Sequence, residues 1–399
     1  MKTWRIGVVG LGQRIAAVLL AMREVGWALE VGGHVDATPV GAEALAQAGV
    51  GIGPRRRNLA ALLAGGPFDL LMIGSPNHLH FDHLREALEA KTPIFAEKPI
   101  VRTAAESFAL ARLLAERPHP PVYVGLVMRS MAIVKEVLAR VEGGALGAII
   151  SMDATEHLPP EHGAYLARNW RRRRDWGGSY LLDKVCHDFD IFARIAGRRA
   201  SAVASFGGRR IFDGARRGGA IERTYADGEA AFALRDAGWA AANDAFFSDM
   251  DVTDHQTALA RYGEDMALAF HANSCTALQE RRWYIAGTEA TLIADLARNR
   301  MLFRRVLDRG RPERLEFGGR TADGHNGADQ AMALDLLAAM EGRAPFPVAP
   351  ADALAAGLTV MAIDEAMEAG AVVDLEPTWA RLDSALTPGA KAAGVAAAG

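Results

Sequence analysis

Cysteine is nearly absent: Cys186 and Cys275 are the only two in 399 residues. That excludes a disulfide framework and a four-cysteine zinc site built from one chain, and it suits a reducing compartment. A strong charge of either sign is also missing, with 45 Lys and Arg against 48 Asp and Glu. No broad field is available to draw in nucleic acid or anionic lipid, so a small-molecule partner is expected. No uncharged run is long enough to span a bilayer, and Met1 to Gly10 has no basic segment leading into an apolar stretch and a cleavage site. The expectation is a cytoplasmic protein without nucleic-acid or membrane partners. Internal repeats are lacking too, and the length points to two domains, each able to bury its own core.

What is present is an ordered alternation. Short apolar runs at Arg5 to Val9, Leu29 to Val35, Phe68 to Ile73, Pro93 to Phe95 and Val122 to Val124 are separated by helical stretches, the order of a parallel sheet. Beyond about Leu126 the runs at Ala148 to Ala154, Ala202 to Phe206, Thr257 to Ala260, Met266 to Phe270, Arg282 to Ile285, Thr291 to Ala294 and Met301 to Arg305 suit an antiparallel sheet. Gly327 to Met340 and Ala351 to Met367 read as amphipathic helices. The reading is α/β plus α+β: a Rossmann domain over 1–126 and a mainly antiparallel open-sheet domain with helices over 127–386, whose last helices return to the first domain. An Ala- and Gly-rich tail over 387–399 has little to bury and is expected to be flexible.

Gly10, Leu11 and Gly12 stand where the first strand runs into a helix, where glycines let a pyrophosphate approach the backbone and the helix N-terminus. Gln13, Arg14 and Ile15 follow directly, so the third glycine of the usual fingerprint is displaced. Asp36 ends the second strand, where a carboxylate accepts hydrogen bonds from both ribose hydroxyls and repels a 2′-phosphate, which favours NAD over NADP. Glu97-Lys98-Pro99 follows another strand, and Lys98 can donate to a substrate oxygen. Asp183 and His187 are four residues apart on a predicted helix and share a face. Oxidising an alcohol requires a proton acceptor beside the hydroxyl, which suits His187, while Lys98 would stabilise charge on the oxygen. Asp183 is expected to orient the imidazole and favour its cationic form. Cys186 lies between Val185 and Phe189 as a packed thiol.

Gly10-Leu11-Gly12, Ser75-Pro76-Asn77-His78-Leu79-His80, Glu97-Lys98-Pro99, Gly177-Gly178 through Asp183, His187 and Asp190, and Gly324 to Asp329 together resemble the Gfo/Idh/MocA family, in the expected order and over essentially the whole chain. The resemblance implies that Lys98, Asp183 and His187 form the catalytic trio. It also implies that Ser75, Pro76, Asn77, His80 and Glu97 border the cofactor NAD, and that the partner is a small carbohydrate. The sheet of the second domain would support a homodimer or homotetramer. Ser179 and Val185 replace glycines frequent in the family, and Lys184 places a charge beside Asp183. Arg171, Tyr180 and Lys184 are accordingly expected to join the trio around the substrate.

Other readings stay open at this stage. The same cofactor could drive a glycosidase by transient oxidation, elimination, hydration and re-reduction, or the fold could serve a non-catalytic sensor. The Arg171 to Arg174 run could read a carboxylate or sulfonate on an acidic sugar, or be a solvated face. His78, His80, His83 and Asp82 could bind zinc, but loop or helix-start positions explain them more simply, and no metal is expected.

Overall fold

The computed structural model describes residues 2–116, 118–217, 223–232, 241–318 and 325–388. Gly324 and the expected tail from residue 389 onward lie outside them. The first sheet holds β1 (Trp4–Val9), β2 (Leu29–Val35), β3 (Leu70–Ile73), β4 (Ile94–Ala96) and β5 (Val122–Val124). All pair in parallel, in the order β2-β1-β3-β4-β5. Ile6, Val8 and Val9 are buried, as befits strands covered by helices on both faces. Helix Gln13–Glu24 buries Ile15, Val18, Leu19 and Met22, spaced by three and four, against this sheet. The chain leaves β1 for β2 on one side and reaches β3 on the other, so the crevice at their carboxyl ends is the ligand-binding position of an open parallel sheet.

The second sheet has nine strands: β6 (Ile149–His157), β7 (Ala202–Gly208), β8 (His255–Tyr262), β9 (Met266–Asn273), β10 (Glu280–Gly287), β11 (Ala290–Asp295), β12 (Arg300–Arg305), β13 (Glu313–Glu316) and β14 (Val373–Asp374), in the order β13-β12-β11-β10-β6-β9-β8-β7-β14. Its pairs are antiparallel apart from β6 with β9, which run parallel because helices and β7–β8 intervene in the chain. Strands β13 and β14 were not anticipated, being short edge pieces with little apolar patterning. One face of the sheet packs on helix Tyr180–Ala196 through aromatic edges: Phe189 meets Phe270 at 5.3 Å and Phe192 meets Trp283 at 5.5 Å. Fully burying each such side chain is worth about 1.5–3 kcal/mol. Two of the C-terminal helices touch residues of the first sheet's region. Trp27 Nε1 on the Rossmann side donates to the Ala333 carbonyl at 3.2 Å, and Arg381 in helix Glu376–Leu386 stacks over Phe108.

Helix Tyr180–Ala196 is fixed at its start by chemistry the sequence carries. Gly178 has φ +87, and a Cβ there would meet Leu182 Cδ2 at 2.7 Å, so glycine is required. Ser179 then caps the helix, its hydroxyl oxygen accepting the Leu182 N–H at 3.0 Å. The same hydroxyl hydrogen-bonds Asp364 of helix Pro350–Ala369, and Gln256 Nε2 donates to that carboxylate at 3.2 Å. Burial pushes Asp364 up to about 6, above its unfolded value, despite the hydrogen bonds from Ser179 and Gln256. Its contribution to stability is therefore complete at low pH and is lost as pH rises through about 6. Asp364→Asn is expected to flatten the decline in thermal midpoint between about pH 4 and 6, from the ordinary aspartate value to the raised one; a decline as steep as in wild type would show that other groups control it.

Candidate active site

At the carboxyl end of β1 the backbone turns at Gly10, with φ +83 and its N–H bonded to the Val35 carbonyl. A Cβ at Gly10 would stand 2.3 Å from the Ser75 backbone nitrogen, so the turn admits only glycine. Gly12 precedes helix Gln13–Glu24 and supplies no side-chain cap, leaving the first-turn N–H groups for an anion. Asp36 sits where expected, beside this turn: its carboxylate oxygens accept the Leu11 N–H at 2.7 Å and the Thr38 N–H at 2.8 Å. A cradle that a Cβ would fill, an uncapped helix and a strand-end carboxylate together fit a dinucleotide. Gln13 is exposed at the helix start.

From this turn the site opens into a cleft of about 560 Å³ between the two domains. Among the expected residues, Arg14, Ser75, Asn77, His80, Glu97, Lys98, Arg171, Asp183, Lys184 and His187 all line it. Tyr180 does not. Its side chain is buried in the second domain and its hydroxyl has no hydrogen-bond partner among the described residues, so the expectation that it touches substrate is corrected. At a helix start, one residue of offset turns a side chain by about 100°.

Several expected ligand contacts are already used inside the protein. Arg14 Nε donates to Glu97 at 2.9 Å and its Nη2 pairs with Asp329 at 2.7 Å, joining the first domain to helix Ala328–Met340. Burial and the charge of Arg14, with a hydrogen bond from His325, compete at Asp329, and the partners hold its carboxyl well below the usual range. His80 is buried with its two ring nitrogens 2.7 Å from the Ser75 carbonyl and 2.8 Å from the Pro99 carbonyl, which pins the loops after β3 and β4 to each other. Asn77 Nδ2 donates to the Gly177 carbonyl at 2.7 Å, tying the same loop to the approach of the site helix. His83 Nδ1 meets Ser75 Oγ at 2.9 Å and His78 lies near Trp176, so the three histidines point in different directions. Among the described residues no three His, Cys, Asp or Glu side chains gather as a metal site.

One wall of the cleft is built by the segment after β4 and by helix Tyr180–Ala196. Lys98 Nζ donates to the Asp183 carbonyl and stands 3.9 Å from its carboxylate. Arg171 Nε donates to the same carboxylate at 2.9 Å, while its Nη1 donates to Tyr165 and Asn169. Burial raises the Asp183 pKa, but Arg171, Lys98 and Lys184 outweigh it and hold the carboxylate ionised. Asp183 thus serves the cations, and the expectation that it orients His187 in a cationic form is corrected. Burial pushes His187 well below its ordinary value, and Lys98, Arg281, His325 and Arg14 reinforce the shift. Its Nδ1 is buried without a hydrogen-bond partner among the described residues. The result is a neutral imidazole able to take a proton, sharing a cleft with an ammonium able to donate to oxygen. Burial pushes the Cys186 thiol up to about 12, in keeping with a packed group.

Sequence reasoning missed Arg281. Strand β10 begins at Glu280, two residues before the expected start, and register sets Arg281 opposite Glu156 on β6. Arg281 pairs with Glu156 at 3.2 Å and also with Asp188 of the site helix. His162, in helix Pro160–Arg168, lines the cleft and was likewise unmarked. The rest of the arginine run is paired, Arg172 and Arg173 with Asp249 and Arg174 with Glu368, and only Arg172 is buried, the pairs of Arg173 and Arg174 lying at the surface.

A Rossmann turn with a neutral histidine and a lysine facing one interdomain cleft defines a dinucleotide-binding oxidoreductase class. A family model described as an oxidoreductase family with NAD-binding Rossmann fold matches residues 4–126, and a GFO/IDH/MocA C-terminal domain model matches residues 134–293. This chain belongs to the Gfo/Idh/MocA oxidoreductase family, with an NAD-binding Rossmann domain. Inositol 2-dehydrogenase of Corynebacterium glutamicum is 26% identical over 205 residues, 51% of this chain and 57% of that relative. Rhizopine catabolism protein MocA of Rhizobium meliloti is 26% identical over 220 residues, 55% of this chain and 65% of that protein. The chain therefore matches less than two thirds of the length of these curated relatives. A solved structure of levoglucosan dehydrogenase in complex with NADH and levoglucosan has a TM-score of 0.74 at 21% identity, covering 94% of this chain and all of that one, a likeness of fold. No helix among the described residues is long and apolar enough to cross a membrane.

Proposed function

We propose that this chain is a dehydrogenase that moves a hydride between NAD and a secondary hydroxyl of a sugar, polyol or glycoside. NAD, when bound along Gly10, Leu11, Gly12 and Asp36, supplies the hydride acceptor. Lys98 holds the substrate oxygen and stabilises its developing negative charge, and neutral His187 takes the hydroxyl proton. The observation that carries the reading is that His187 Nδ1, without a hydrogen-bond partner among the described residues, and the Lys98 ammonium belong to side chains lining one cleft. Asp183 and Arg171 act on the oxygen through Lys98, by anchoring its ammonium and balancing its charge.

The deciding experiment screens sugars, polyols and aryl glycosides with NAD while recording NADH and released aglycone together. NADH stoichiometric with product supports the dehydrogenase. Aglycone without net NADH would replace it with a redox-neutral glycosidase, and cofactor binding without turnover of any substrate would leave a sensor.

Asp36 supports NAD over NADP, because a 2′-phosphate would meet its carboxylate. Asp36→Ser is expected to weaken NAD binding by roughly 10- to 100-fold, the scale of a charge-assisted hydrogen bond, and to narrow the preference. Binding isotherms in which the wild type holds NADP more tightly would sink this assignment. A cytoplasmic homodimer or homotetramer completes the proposal. It is supported by free cysteines and by the open face of the second sheet, where Phe206 is 77% and Leu259 55% exposed, and sedimentation velocity would measure the assembly.

A further inference from the structure

Five lysines and arginines line the cleft: Arg14, Lys98, Arg171, Lys184 and Arg281. Four of them are matched to carboxylates within the protein: Arg14 to Glu97 and Asp329, Lys98 and Arg171 to Asp183, and Arg281 to Glu156 and Asp188. Lys184 differs. Among the described residues it forms no ion pair with a carboxylate, and its Nζ instead rests against Nε2 of His162.

That contact has a definite chemistry. With Lys184 charged, its ammonium only donates, so Nε2 of His162 accepts and the imidazole proton sits on Nδ1. Two of the three ammonium hydrogens then remain for another acceptor. Burial lowers the Lys184 pKa to about 7; Asp183 opposes the drop, Lys98 and Arg171 deepen it, and Glu156 opposes it. A buried charge without a carboxylate partner gains most from an anion delivered with the substrate. Arg171 already commits Nε to Asp183 and Nη1 to Tyr165 and Asn169. A dianion fits poorly, since Glu161 lines the cleft beside His162.

We propose that Lys184 and His162 form a subsite for a single carboxylate, and that the substrate is a sugar acid. The carboxylate is held at this pair while a secondary hydroxyl faces Lys98 and His187. The subsite stands on the cleft geometry; only the placement of the hydroxyl rests on the dehydrogenase reading. Lys184 directly follows Asp183, whose carbonyl anchors Lys98, and Lys98, Lys184 and His187 line the same cleft, so one ligand can reach all three.

Isothermal titration of the full chain, saturated with NADH at matched ionic strength, would compare D-glucuronate with D-glucose and D-galacturonate with D-galactose. At least one uronate is expected to bind about 10- to 100-fold more tightly than its neutral partner, the range of a charge-assisted hydrogen bond. Lys184→Gln should erase that ratio, Lys184→Arg should keep most of it, and His162→Gln should reduce it, with circular dichroism checking that each variant folds. Uronates that bind no better than neutral sugars, or not at all, would overturn the subsite, as would a preference that survives Lys184→Gln. The two readings separate cleanly. Selective uronate binding with no NADH formed from NAD sinks the dehydrogenase and leaves the subsite, whereas NADH formed from neutral sugars with no uronate preference does the reverse.

Discussion

His187→Ala is expected to lower kcat by about 10²- to 10⁴-fold, the contribution of a positioned general base. The imidazole works in its neutral form, and burial together with Lys98, Arg281, His325 and Arg14 depresses its pKa well below 6.5. Protonation removes the base, so activity must fall as pH drops through that lowered pKa. Wild-type kcat for alcohol oxidation should therefore hold steady down to about pH 6.5 and decline only below it, given the ordinary histidine value. In His187→Ala that acid limb should vanish along with the rate. A variant with near wild-type kcat on the true substrate would remove His187 from the chemistry.

Lys98→Ala should cost a similar factor, about 10²- to 10⁴-fold, with the loss falling on kcat more than on KM. The reason is that an ammonium beside the substrate oxygen gains most when negative charge builds there. Asp183 keeps Arg171 as a partner in this variant, so the helix start should persist. Lys98→Arg is not expected to restore the rate, because a planar fork cannot occupy the position of a point charge wedged at the Asp183 carbonyl. Loss confined to KM would reassign Lys98 to simple binding.

Much of this was legible because it rests on short-range rules. The five parallel strands followed from apolar runs between helices, and each observed strand lies within a few residues of its expected place. Gly10 was readable as a close-approach position, and it has positive φ. The spacing of Asp183 and His187 set both on the wall of one cleft. Arg281 escaped because a strand start was judged two residues late, which hid the side chain that register carries to Glu156. Tyr180 was misread because helix phase at a first turn depends on where the cap falls, and Ser179 is that cap.

The sequence by itself determined the class of fold and the turn that cradles a dinucleotide, and it singled out a lysine and a histidine that both line one cleft. Those are properties of local periodicity, backbone freedom and motif order. Only the tertiary structure decided which charge neutralises which. Arg14 reaches Glu97 across 83 residues and Arg281 reaches Asp188 across 93, so Asp183 is spent on Arg171 and Lys98 while His187 is left neutral. Ion pairing depends on distances of a few ångströms between segments far apart in the chain, and no local pattern encodes those distances.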